Sequence, residues 1–246
     1  MKKVLLSLIS LTILGFAAKA QSASTSESSK IDLTGRASDH LMFQVGTDTW
    51  TGAPDSVKLG GGLSRHFNVY FMYDKPFKTN QHFSVAFGGG IGTSNIFFDN
   101  HTNVDLKSGA ATLPFKHIDS ISNHFSKVKL AEIYVHAPLE LRYYSDPKNP
   151  NKSWKAAAGM KVGILMKAYT KSKNLVDATG NSVYGKTYIE KEINKRFLNA
   201  TDISLTGRAG YGMISLDVAY LVNGVLRDGY GPVMNRFSIG ITISGL

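Results

Sequence analysis

The sequence predicts an all-β fold, an eight-stranded antiparallel up-and-down transmembrane β-barrel, and three observations carry that prediction. From His40 onward no window of helical length repeats apolar residues at i, i+3, i+4 and i+7, whereas alternation with period two recurs along the chain. The connections between the alternating runs switch regularly between short and long. The polar side of the runs is built from Gly, Ala and Ser with isolated charges, which suits a narrow barrel interior better than a face turned to water.

The strands follow in order. Leu41, Phe43 and Val45 alternate with Gln44 and Gly46, and Leu63, Phe67, Val69, Phe71 and Tyr73 alternate with Ser64, His66, Asn68 and Tyr70. Phe83, Val85, Phe87 and Ile91 face away from Ser84, Ala86, Gly88, Gly90 and Gly92. Residues 127–144 form the fourth run. In the fifth, Trp154, Met160, Val162, Ile164 and Met166 oppose Lys155, Gly159, Lys161, Gly163 and Lys167. Ile203 and Leu205, then Ile214, Leu216, Val218 and Tyr220, and finally Phe237, Ile239, Ile241 and Ile243 supply the last three. An even number closes an antiparallel barrel. Short links at 74–80, 145–152 and 210–212 are rich in turn formers such as Asp74, Pro76, Asn149 and Pro150, and long ones fall at 52–60, 99–126, 171–196 and 222–234. Tight periplasmic turns and long outer loops produce this rhythm.

The N-terminus reads as an export signal. Lys2 and Lys3 precede an apolar stretch from Val4 to Ala18, and Ala18-Lys19-Ala20 is a small-x-small cleavage pattern, so cleavage is expected before Gln21. A retained membrane anchor fits less well, because the stretch is shorter than the ~20 residues a spanning helix needs. Residues 21–39, with five serines between 22 and 29, form a polar lead-in, and the barrel occupies 40–246. Without Lys2, Lys3 and Lys19 the chain keeps 25 basic against 18 acidic residues, a formal charge of +7. The basic residues are scattered, and the export signal argues against nucleic acid as a partner. The chain has no cysteine, so neither disulfides nor a lipid-modified cysteine hold it.

Alternation alone is shared with a soluble secreted lipocalin-like carrier, whose apolar side faces inward. The aromatic residues separate the two readings. Phe71, Tyr73, Phe83, Tyr143, Trp154 and Tyr211 lie on the apolar parity at the turn end, and Phe97, Phe197, Tyr220 and Phe237 at the loop end, as two girdles at the membrane interfaces require. On the opposite parity Glu140, Arg142, Lys155, Lys161, Lys167, Arg208, Asp217 and Arg236 face the lumen, where unpaired charges are costly. They are expected to pair across strands and fill the interior; their cationic excess leaves a narrow path for small anions as the alternative.

Residues 134–144, Tyr-Val-His-Ala-Pro-Leu-Glu-Leu-Arg-Tyr-Tyr, resemble the Glu-Ile-Pro-Leu strand of PorT-like outer-membrane β-barrel proteins of Bacteroidota, with His136 and Ala137 in place of the usual Glu and Ile. Strand spacing and Gly-rich strands extend the resemblance loosely over 40–246, and Gln21 after the cleavage site agrees with it. It implies an eight-stranded outer-membrane barrel and brings no catalytic residues. Leu246 departs from the Phe that ends many barrels. Pro138 inside a strand predicts a bulge, which would also explain why Val128 and Leu130 change parity relative to Ile133 and Val135.

Candidate chemistry is sparse. Gly88-Gly89-Gly90-Ile91-Gly92 lacks the following helix that a phosphate loop needs. His82-Phe83-Ser84, with Glu140, resembles the catalytic pair of a lipid A-modifying hydrolase, but lies at the periplasmic end, and His124-Phe125-Ser126 repeats the tripeptide. The histidines at 40, 66, 82, 101, 117, 124 and 136 show no short ligand spacing, so no metal or cofactor is expected. The expected role is non-enzymatic: long loops meeting outer-membrane lipids, lipopolysaccharide phosphates or an unidentified surface or periplasmic protein, through Lys171, Lys173, Lys186, Lys191, Lys195 and Arg196.

Overall fold

The computed structural model describes residues 40–60, 64–99, 101–119 and 121–245. The export segment, the polar lead-in at 21–39 and Leu246 lie outside the described residues. Eleven strands follow in chain order: β1 (Leu41–Thr51), β2 (Arg65–Pro76), β3 (Phe83–Phe98), β4 (Thr102–Val104), β5 (Phe115–His117), β6 (His124–Tyr144), β7 (Trp154–Val176), β8 (Ile189–Ile193), β9 (Thr201–Tyr211), β10 (Ile214–Leu221) and β11 (Asn235–Ser244). Eight of them pair antiparallel with their neighbours in the order β1-β2-β3-β6-β7-β9-β10-β11, and β1 pairs back onto β11 from Met42↔Ser244 to Thr51↔Asn235. The pairing therefore closes on itself, leaving no free edge in the ring.

Short turns close one end. Phe77 N–H donates to Phe83 O at 2.9 Å across the β2–β3 turn. A single 3-10 turn at Pro150–Lys152 carries the β6–β7 link, with proline where no helical donor is needed. Gly212 and Met213 form a two-residue hairpin between β9 and β10, with Gly212 at φ 63°, a conformation that strains any L side chain.

The apolar parity points outward along the ring: Leu205 (57% exposed), Val218 (42%), Ile239 (45%) and Ile241 (45%) all turn their side chains away from the interior. All six aromatics of the turn-end girdle are exposed or half-buried on the same outer wall. At the loop end Phe97, Tyr220 and Phe237 do the same, but Phe197 is fully buried. It follows β8 in a connection rather than sitting on a strand, so parity did not apply to it.

β6 and β7 run far beyond the others. They contain 21 and 23 residues, whereas 9–11 suffice to cross a bilayer, so at ~3.4 Å per residue β6 extends roughly 70 Å. Of what read as loop at 99–126 and 171–196, residues 124–126 and 171–176 are therefore strand. β8 adds to β7 above the ring, and β4 and β5 form a small hairpin beside them.

On β6 every even-numbered residue from Val128 to Tyr144 is buried, without a change of parity. Pro138 makes no bulge; instead the β3–β6 pairing lapses opposite Gly88 and Gly89, between Phe87↔Leu139 and Gly90↔His136. Val128 and Leu130 belong to the interior because the interior itself changes character. It is charged inside the ring and apolar above it, where they join Trp50, Ile96, Phe98, Leu106, Phe197, Leu198 and Leu226 in one core. The register shift lies on β7, where Ile133 pairs with Lys167 and Tyr134 with Leu165, so Met166 is the extra residue. That bulge reverses the β7 parity and turns Lys167 outward, not into the lumen.

Candidate functional site

The polar interior is a stack of ion-paired layers, each placed by the inward parity of its strand. At the turn end Glu140 accepts from Arg142 Nε at 2.9 Å and Arg208 Nη2 at 3.1 Å. Lys155 Nζ donates to Ser244 Oγ at 3.1 Å, and Ser84 Oγ to Asp74 Oδ1 at 2.6 Å. In the middle Asp217 accepts from Thr242 Oγ1 at 2.7 Å, and a polar chain continues from Asn68 through Gln44 to Thr242. Toward the loop end Arg236 bridges Glu132, at 2.7 Å, and Asp202, while its guanidinium lies 5.5 Å from the Tyr134 ring centre. Asp48 pairs with His66 Nδ1 at 2.8 Å and accepts from Ser94 Oγ at 2.5 Å.

The bare inward positions have a use: they receive rings from the neighbouring strand. A Cβ on Gly92 or Gly163 would stand 2.7 or 2.3 Å from the His136 ring, so the imidazole is clamped between two strands and held 3.5 Å from Asp202.

Of the eight lumen charges expected from parity, Glu140, Arg142, Lys155, Lys161, Arg208, Asp217 and Arg236 are buried there, and Lys167 is not. Sequence reading missed their acidic partners Asp48, Asp74, Glu132 and Asp202, and the rings of His66, Tyr70 and His136. Inward parity was the available signal for Asp48, Glu132 and Asp202. Among the described residues six buried carboxylates (Asp48, Asp74, Glu132, Glu140, Asp202 and Asp217) meet five buried Lys and Arg side chains (Arg142, Lys155, Lys161, Arg208 and Arg236). The expected cationic excess is thus corrected to near balance. Two cavities inside the ring hold about 20 and 10 Å³, room for roughly one water each.

The hydrolase arrangement is not assembled. His82 Nδ1 is engaged by Tyr144 O at 2.8 Å, Ser84 is held by Asp74, and Glu140 by its two arginines. In the second tripeptide His124 Nδ1 meets Ser122 O, and Ser126 Oγ donates to Lys173 O at 3.1 Å. His101 does approach His124 and His117, with ring centres 4.7 and 6.0 Å apart, but among the described residues no three His, Asp or Glu side chains surround a common metal position.

Above the ring the connections form an ordered cap. Leu113 N–H donates to Tyr230 O at 2.8 Å, Arg227 to Phe197 O at 2.9 Å and Asn199 to Val225 O at 2.9 Å, so three connections share one hydrogen-bonded lid. Phe197 packs edge-on against Tyr230, and the Arg196 guanidinium lies 5.1 Å from its ring centre and donates to Ser108 O. Lys195 reaches Leu165 O, while Lys171, Lys173, Lys186 and Lys191 point outward. On the other face of β8, Glu192 accepts from Leu106 N–H and Thr170 Oγ1; burial, reinforced by Asp105, pushes its carboxyl pKa up.

A closed up-and-down ring with an apolar outer belt, aromatic ends and a charge-paired lumen defines the class of lipid-facing β-barrels. The family model described as outer membrane protein beta-barrel domain matches residues 20–223, and the chain belongs to that family. Among solved structures, Ail, the attachment invasion locus protein of Yersinia pestis, in complex with the heparin analogue sucrose octasulfate, is similar at 11% identity and a TM-score of 0.34, over 83% of this chain and 96% of that one. No curated protein matches the sequence.

Proposed function

We infer that the protein is a closed, non-enzymatic barrel that works by surface interaction through its extracellular cap. The observation that carries this reading is the lumen: its charges neutralise one another at hydrogen-bonding distance, and its cavities are water-sized. A continuous solute path has no support in such an interior. Binding energy is available instead at the outer end, where an ordered apolar core holds the connections in place and basic side chains project from the wall. Outer-membrane lipids, lipopolysaccharide phosphates and an unidentified surface or periplasmic protein are the partners this reading proposes. Export by cleavage before Gln21 belongs to the same proposal, as does PorT-like membership within the family, supported by the Pro138-Leu139-Glu140-Leu141 strand.

Planar bilayer recording tests it. The purified protein is expected to be electrically silent at voltages where a porin control conducts, while a heat-modifiability gel shows that it is folded. Steady anion-selective openings would establish the channel alternative in its place.

A further inference from the structure

The outward face of β6, β7 and β8 above the belt carries lysines in register. Lys127 pairs with Lys173, Lys129 with Lys171, and Lys171 in turn with Lys191. Cross-strand neighbours of this kind stand about 5 Å apart, and like charges there destabilise a sheet. Lys171 and Lys191 both repel the Lys129 ammonium. The acids of β8 give no relief on this face, since Glu190 and Glu192 pair with the inward-facing Ser172 and Thr170.

The cluster lies on β6, β7 and β8 and is joined by the exposed Arg65 of β2, whose cross-strand partner Asn95 accepts from Lys129 Nζ at 2.7 Å. At comparable levels the outward positions of β1, β9 and β11 are neutral: Thr47, Thr49, Thr201 and Asn235. Its height is also defined. Met166 lies twelve residues above the girdle residue Trp154 on β7, about 40 Å along the strand and roughly 30 Å along the barrel axis at the usual tilt, against an apolar band of ~25 Å. On β7 Lys167 is therefore the first charge above the belt, and the Lys129–Lys171–Lys191 row follows two outward positions higher, past Tyr169. Apolar rings are interleaved with the ammonium groups: Lys191 Nζ sits 4.1 Å from the Tyr169 ring centre and Lys129 Nζ 5.7 Å from that of Phe97.

We propose that this face binds the phosphate groups of a glycolipid in the outer leaflet. A row of ammonium groups with no carboxylate partner among the described residues, flanked by rings and by exposed Ile189 and Ile193, matches an amphiphile that is anionic where it meets water and apolar below. A phosphate oxygen between two lysines replaces their repulsion with charge-assisted hydrogen bonds. The proposal rests on the surface-interaction reading and places one ligand of it on the wall instead of the loop tips.

Native mass spectrometry of the full-length protein in detergent, titrated with bisphosphorylated lipid A, provides the test. Wild type is expected to hold it at least tenfold more tightly than dephosphorylated lipid A. The triple variant Lys129→Gln, Lys171→Gln, Lys191→Gln is expected to lose at least tenfold in affinity while remaining heat-modifiable. A control at the turn end, Lys148→Gln with Lys152→Gln, is expected to bind as wild type does. Equal affinity of wild type and the triple variant, or equal binding of the dephosphorylated lipid, overturns the proposal. So does displacement of lipid A by inorganic phosphate or by a sulfated polysaccharide at matching concentration, which would reassign the row to a soluble anion. A conducting barrel with intact lipid binding would refute the closed-lumen reading alone.

Discussion

Arg236→Ala is expected to destabilise the barrel by about 3–5 kcal/mol, the cost of leaving buried charges without their partner. Arg236 bridges Glu132 on β6 and Asp202 on β9, so its loss strands two carboxylates at once in a space that admits hardly any water. Urea unfolding in detergent micelles, followed by the heat-modifiability band shift, measures the change. The companion variant Arg236→Met with Glu132→Gln and Asp202→Asn removes all three charges together, and much of the lost stability is expected to return. If Arg236→Ala unfolds at the wild-type midpoint, the ion-paired plug does not stabilise the fold as argued.

Phe197→Ala acts in the other half of the interior. The side chain is fully buried where three connections meet, and truncating such an aromatic costs about 3–5 kcal/mol in a packed core. The loss is expected to fall on the cap and not on the ring, because the hydrogen bonds of the ring strands do not pass through this residue. Protease added to intact cells should cut the variant within 177–200 or 222–234 far faster than wild type, with the heat-modifiable band of the barrel retained. Unchanged cleavage would mean that the cap does not depend on this core.

The ring was legible in the sequence because alternation is a local property: Phe237, Ile239, Ile241 and Ile243 announce their face whichever strand lies next to them. The lumen arginines and Glu140 were legible for the same reason. What escaped was set by context. Parity reports a side, not what that side touches, so Val128 and Leu130 looked displaced when only the medium around them had changed. Pro138 suggested a bulge on its own strand, but there the pairing with β3 merely lapses, and the register shift sits on β7 at Met166, beside Ile133 and Tyr134, where no residue type signals it. Asp48, Glu132 and Asp202 carried the right parity, but their partners lie on other strands; only the closure of the ring brings them to Arg236 and the histidines. Phe197 shows the reverse error, an assignment made by spacing where no strand exists.

The surplus residue at Met166 has a mechanical consequence. Everything below it on β7 turns even-numbered side chains outward and everything above it odd-numbered ones, so this single step lets one continuous ribbon serve two solvents, oil beneath and brine above, without its lysines being driven into the apolar lid. Excising that one residue would leave Leu165 still inward and Lys167 still outward. The ribbon thus has one place where it can shorten by a notch and keep both of its faces.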